Sequence, residues 1–254
     1  MTGNIKTFTV VTGSGSPSAQ ASPPFAWLSF RLCERGIVRE APFGRGGLIG
    51  IYMPPSSPLP PGGGIDLREV ISLVHRGSVE GILLDLPADE SGMAAAGRIC
   101  PRLDALGIRY FIPEPLSAFA RKGIYIIHSA VSGGSLRDML GHFCEKHGAS
   151  RLALEIVRTR HDFTMPSRDP SGRFLSQQEF SLLLGRCGGK ICRSDELCCR
   201  YFTYMDEDRD PHFVMFDDGD TARLKLEEAQ RCGIAFAFAL WDDWGADIKA
   251  PPAK

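Results

Sequence analysis

The chain has no surplus of either charge: 29 Lys and Arg stand against 30 Asp and Glu, a formal net charge of −1. A nucleic-acid surface needs surplus cations to neutralise phosphates, so no nucleic-acid partner is expected. No window holds 18 uninterrupted apolar residues, and no membrane span is expected. Residues 1–15 lack a basic start followed by a long apolar core; with no secretion signal to read, a cytoplasmic protein is expected. No Gly-x-Gly-x-x-Gly follows the first strand-like run, so a dinucleotide fold has little support and no cofactor is expected. The eight cysteines include no paired Cys-x-x-Cys. Cys187, Cys192, Cys198 and Cys199 crowd together without a histidine among them, a pattern that fits reduced thiols better than a zinc site, and no metal is expected.

What the chain does have is alternation. Residues 7–11 read as a strand, 13–24 as a Gly/Ser/Pro loop, and 25–35 as a helix, with Phe25, Leu28 and Leu32 at helical spacing and Gly36 as its stop. Residues 47–53 read as a strand and 54–64 as a stiff proline- and glycine-rich loop. From there the pattern is regular. Asp66 and Glu69 make a capping-box-like start for a face of Leu67, Val70, Ile71 and Val74, and Gly77 ends that helix before the apolar run 79–87. Met93, Ala96, Cys100 and Leu103 form the next face, kinked or split at Pro101 and ending at Gly107 before a strand at 108–112. Further strands are read at 124–127, 152–157 and 234–240, with helices opened by Ser135, Ser176 and Asp220.

Capped helices that stop at a glycine just before an apolar strand are the mark of parallel β/α units. About eight strand-like runs favour a closed α/β barrel of the (β/α)8 TIM type over an open sheet, irregular or shortened in its amino-terminal half. The chain is read as one barrel domain over 1–254, with 1–24 a first strand and loop and 245–254 a tail. In Ala235-Phe-Ala-Phe-Ala-Leu-Trp241 small and large residues alternate. The expectation drawn from it is that the alanines line the barrel interior, the phenylalanines pack outward, and Trp241 points inward at the carboxyl-terminal mouth.

Several segments then carry a resemblance. Residues 152–166 (Leu-Ala-Leu-Glu-Ile-Val-Arg-Thr-Arg-His-Asp-Phe-Thr-Met-Pro), Leu175-Ser-Gln-Gln-Glu179, Tyr201-Phe-Thr-Tyr-Met-Asp-Glu-Asp208, Val214-Met-Phe-Asp-Asp218 and 225–241 resemble family 18 glycoside hydrolases, the chitinase-like group, and within it the bacterial branch associated with spore walls and peptidoglycan. The match covers roughly the last hundred residues; the amino-terminal half is looser. The resemblance implies a (β/α)8 barrel acting on glycans rich in N-acetylglucosamine, by substrate-assisted chemistry in which a glutamic acid at the end of strand four protonates the leaving oxygen. This differs from the two-carboxylate arrangement of most glycosidases. That glutamate closes an Asp-Gly-x-Asp-x-Asp-x-Glu motif. Here Glu80-Gly81 falls on the opening pair, Leu83 on the middle aspartate, Asp85 on the last aspartate and Pro87 on the glutamate. The strand-six Tyr-Asp pair that holds the acetamido group in the family meets Ile127-His128-Ser129-Ala130. General acid catalysis is typically worth ~10²–10⁴-fold, so its unreplaced loss nearly silences hydrolysis.

Candidate site residues follow. Asp85 is a surviving site residue or an inward acid satisfied by hydrogen bonds. Glu114, at a strand end, is a relocated acid or a loop charge. Trp241 is a sugar platform or a plug. Glu155 interrupts an apolar strand and, if inward, needs a partner. His128 is a ligand-facing base or a hydrogen-bonded mouth histidine; Arg158 grips an anionic glycan or pairs with Asp162. Tyr204, in one of the resembling segments, joins the substrate-binding set. The reading is therefore a glycan-binding, catalytically degenerate barrel with a spore-associated role. The alternatives are an active glycosidase using Glu114, and a protein-interaction scaffold.

Overall fold

The computed structural model describes residues 5–12, 24–62, 64–131, 134–166, 172–187 and 189–247. The amino-terminal part contains β1 (Lys6–Thr12), β2 (Phe25–Cys33), β3 (Gly36–Arg39), β4 (Leu48–Tyr52), α1 (Arg68–His75), β5 (Gly81–Asp85) and α2 (Glu90–Leu106). There follow β6 (Tyr110–Pro113), β7 (Ile124–His128), α3 (Leu136–His147) and β8 (Leu152–Glu155). The remainder comprises β9 (Arg160–Thr164), β10 (Arg173–Phe174), α4 (Gln177–Cys187), β11 (Cys192–Ser194), β12 (Cys199–Met205), β13 (Pro211–Phe216), α5 (Gly219–Arg231), β14 (Phe236–Leu240) and α6 (Trp241–Trp244).

Eight parallel strands run around a ring in the order β1, β2, β4, β5, β6, β7, β8, β14, and β14 pairs back onto β1 to close it. This is a (β/α)8 barrel, flanked by helices. Its amino-terminal half is irregular: β3 folds back antiparallel on β2 where a regular unit would carry a helix. The predicted Gly/Ser/Pro loop after β1 lies, up to residue 23, outside the described residues, as does most of the predicted tail.

Two apolar layers hold the ring. Phe8, Ala26, Leu28, Leu48, Leu83, Phe111, Ile126, Ala153 and Phe238 fill the interior, a packed core rather than a pore. The phenylalanines meet there ring to ring, Phe111 lying 5.1 Å from Phe238 and 5.2 Å from Phe236 at 80°, the edge-to-face arrangement that the ring quadrupole favours. The outer layer includes Ile82, Leu84, Ala237 and Ala239, beneath helix residues such as Ala96, Leu103, Leu226 and Ala229.

Three sequence expectations change. Residues 25–33 are a strand, not a helix. A bulge between Leu28 and Phe30 shifts the register, so Ala26 and Leu28 face the interior while Phe30 and Leu32 face the helices. That inversion breaks the two-residue period and mimics a helical one. Second, β14 presents its phenylalanines inward and its alanines outward, the reverse of the expected sense. Phe238 packs in the interior against the rings of Phe8 and Phe111, whereas Ala237 and Ala239 lie beneath the helices. Third, the first helix of the regular part starts at Arg68 without a side-chain cap, because the Asp66 carboxylate is taken by Arg68 itself.

Between β8 and β14 the chain leaves the barrel to build a second sheet, antiparallel, in the order β10-β9-β13-β12-β11, with its own core of Leu175, Phe202, Val214 and Phe216. Its exit and return are stapled together. Asp217 N–H donates to the Thr159 carbonyl and Thr159 N–H donates to the Asp217 carboxylate, both at 2.9 Å. The same carboxylate accepts Lys225 Nζ at 2.7 Å with both side chains buried.

Candidate functional site

β5, β7, β8 and β14 carry their side chains alternately in and out, and the inward residues at their carboxyl ends build one cavity. Leu83 and Asp85 of β5, Ile126 and His128 of β7, Glu155 of β8, and Phe238 and Leu240 of β14 all line it, together with Val10 and Thr12 of β1, Leu28 of β2, and Pro113 and Pro115 beyond β6. Its volume is about 370 Å³, small among ligand pockets. It opens at the carboxyl-terminal face, where barrels of this class place their sites. The floor is apolar and the wall carries three titratable groups, Asp85, His128 and Glu155.

His128 Nδ1 lies 3.0 Å from Glu155 Oε2. The hydrogen bond to Glu155 raises the imidazole pKa against the opposing cost of burial, so the cationic ring is favoured to a higher pH than usual. Asp85 stands on the same wall with its side chain open to the cavity. The protein crowded round it, and after that the charge of Glu155, push its pKa up. Among the described residues no donor reaches its carboxylate. Glu155, the acid that interrupts an apolar strand, thus sits on the inward face shared with Ala153 and has His128 as its partner.

Leu83 and Asp85 occupy successive inward positions of the fourth strand in the ring, as the resembling motif requires of its middle and last aspartates. Pro87 follows just past the strand end. Its carbonyl sits so close to the first turn of α2 that a Cβ on Gly92 would come within 1.8 Å of it; only glycine fits there. At strand six Ser129 is buried, its Oγ accepting the Val157 amide at 2.9 Å, and it holds the loop after β8 rather than facing the cavity.

The other candidates lie elsewhere. Glu114 accepts Lys146 Nζ at 2.7 Å and lies 2.8 Å from His147 Nε2, outside the cavity lining. Burial alone would raise its pKa, but these two partners hold it below the ordinary value, the reverse of what a proton donor needs. Trp241 opens α6 and does not line the cavity. The indole with a built environment is Trp244: it is buried, donates to the Ile156 carbonyl at 2.8 Å and carries the Arg158 guanidinium 5.0 Å over its ring. Arg158 also donates to the Asp243 carbonyl and to Asp247, at 2.7 and 3.1 Å, and not to Asp162. Tyr204 belongs to the antiparallel sheet, where its hydroxyl donates to Asp162 at 2.9 Å and its ring stacks on His212.

The fold has known counterparts. The chain superposes on the class V chitinase of Nicotiana tobaccum with a TM-score of 0.58 at 10% identity, covering 97% of this chain and 95% of that one. A single-substitution mutant of the same plant enzyme has also been solved in complex with NAG4. A chitinase from Chromobacterium violaceum gives 0.58 at 13% identity over 92% and 93% of the two chains. The spore cortex-lytic enzyme SleL of Bacillus megaterium gives 0.57 at 13% over 97% and 71%. No protein-family profile and no curated protein sequence matches the chain. At these identities the likeness is one of fold, the chitinase-type barrel.

Proposed function

We propose that this protein binds a glycan containing N-acetylglucosamine, of the chitin or peptidoglycan type, in the mouth of its barrel, and that it does not hydrolyse it. The observation that carries the reading is Pro87, an imino acid with no proton to give, standing at the strand-four end where the resembling motif has its acid. The mouth beside it still holds a cavity. The fold shared with chitinases and a spore cortex-lytic enzyme supports the choice of ligand class, and the pairing of Glu114 with Lys146 and His147 speaks against a relocated donor there. Loss of general acid catalysis should leave hydrolysis down by ~10²–10⁴-fold while a binding cavity persists.

Two measurements test this. Calorimetric titration with short glycans drawn from that class, acetylated and partly deacetylated, should show saturable binding that disappears when Leu240→Trp fills the mouth. Incubation of the same glycans with the wild type should release no shorter product. Absence of binding to every glycan would overturn the ligand class. Steady product release that survives repurification would overturn the loss of chemistry.

A further inference from the structure

The polar inventory of the cavity wall is lopsided, and that lopsidedness selects among sugars. Side chains able to accept hydrogen bonds are present in excess: Asp85 and Glu155 contribute two carboxylates. Side-chain donors are scarce. The Thr12 hydroxyl already donates to Asp242 at 2.7 Å, and His128 spends Nδ1 on Glu155, which leaves His128 Nε2. Among the described residues neither Lys nor Arg lines the cavity. With the imidazole cationic, one carboxylate of the pair is balanced and the other, Asp85, is not; among the described residues it accepts no hydrogen bond.

An acetamido group suits this wall poorly. Its carbonyl needs a donor where His128 Nε2 alone is left, and although its single N–H can donate to Asp85, it brings no charge to balance a desolvated carboxylate. A primary ammonium brings three donors and a positive charge, and a charge-assisted hydrogen bond to a carboxylate is roughly twice as strong as a neutral one. We infer that the cavity takes a hexosamine unit whose amine is free, the Asp85 carboxylate receiving the ammonium and Glu155 the neighbouring hydroxyls, within a glycan otherwise of the N-acetylglucosamine class. The inference rests on the glycan-binding reading and sharpens it: the site recognises a de-N-acetylated unit. The apolar floor of Leu83, Ile126 and Phe238 then faces the carbon skeleton of the ring.

The test compares ligands before it compares variants, so it does not depend on any substitution folding. Wild-type protein near neutral pH is titrated with the glucosamine tetramer, the N-acetylglucosamine tetramer and butylamine. The negative charge of the wall is examined with Asp85→Asn and, as an independent variant, Glu155→Gln. The glucosamine tetramer is expected to bind at least tenfold tighter than the acetylated one, with butylamine weaker than either, and Asp85→Asn is expected to abolish the preference. Equal or tighter binding of the acetylated tetramer overturns this inference and leaves the glycan-binding reading standing. Butylamine binding as tightly as the glucosamine tetramer overturns it in favour of a bare cation site. A preference for the free amine that persists undiminished in both variants overturns the assignment to this wall. Failure of both tetramers to bind removes the glycan reading itself.

Discussion

Among the histidine–carboxylate constellations of the described residues, the one in the antiparallel sheet and the one at the barrel mouth are treated differently by the fold. In the antiparallel sheet, Asp162 is enclosed: Tyr204 donates to one oxygen at 2.9 Å, His212 Nδ1 lies 2.8 Å from the other, and the far nitrogen of that ring lies 3.4 Å from Asp206. At the barrel mouth, His128 and Glu155 form one contact and stand open, with 62% and 37% of their side chains accessible, against 13% and 4% for His212 and Asp162. Asp85 beside them has no donor at all among the described residues. A polar group whose hydrogen bonds are all met within the protein is structural cement; one left unmet at a cavity is held for something else. Burial of Tyr204 and its bond to Asp162 push the phenol pKa up.

That distinction can be broken by measurement. The largest effect is expected at the staple between the two regions: Lys225→Met leaves Asp217 a buried carboxylate without its cation, a change that costs about 3–5 kcal/mol in denaturant unfolding. Next comes Asp162→Asn, which weakens charge-assisted bonds within the enclosed cluster and should cost about 1.5–3 kcal/mol. Asp85→Asn, at the open cluster, should shift stability by no more than about 0.5 kcal/mol, and in the stabilising sense, because burial already disfavours its charge. An equal loss from Asp85→Asn and Asp162→Asn would erase the difference between cement and site.

Histidine titrations, followed by nuclear magnetic resonance, sharpen the same comparison. His128 is raised by Glu155, whereas His161 of β9 is lowered by burial, its ring set edge-on against Phe163 and Phe174. Their midpoints should therefore straddle the ordinary value of about 6.5. The linkage signs follow. The His128–Glu155 contribution to stability is full below that ordinary value and fades as pH rises through the higher folded one. His161 opposes folding as pH falls and the buried ring is asked to charge. Glu155→Gln should move the His128 midpoint down and leave His161 in place.

Much of the barrel was legible because its signals are local. Ser135 and Ser176 cap their helices, each accepting the amide three residues on, and Gly77 and Gly107 turn the chain at positive φ where strands follow. What alternation cannot tell is which side is in. The Phe236–Phe238 face and the Ala237–Ala239 face are equally periodic; only the rings of Phe8 and Phe111, brought from distant strands, decide that the large residues go inside. The bulge in β2 hid a strand by inverting its parity midway. The antiparallel sheet left a readable signal, the β-rich runs 199–205 and 211–216 around an Asp-Glu-Asp-Arg-Asp turn, which is a hairpin pattern. At the site, the pairing of Glu155 with His128 joins neighbouring strands, and sequence alone supplied the residues but not the contact. The position of Trp241 followed from the wrong sense of the same alternation.

The smallest expected effect concerns Glu114, and a null result there is informative. Its carboxylate is held by Lys146 and His147 from α3, so Glu114→Gln should cost about 1 kcal/mol of stability through the lost bonds. Glycan affinity and the absence of product release should both stay as in the wild type, because Glu114 itself does not line the cavity. A change in affinity after this substitution would mean that the α3 side of the ring communicates with the mouth, and the separation between structural and ligand-facing carboxylates would have to be redrawn. An unchanged affinity beside a lost one in Asp85→Asn would instead place the recognition on β5, at the inward acid two residues before the proline.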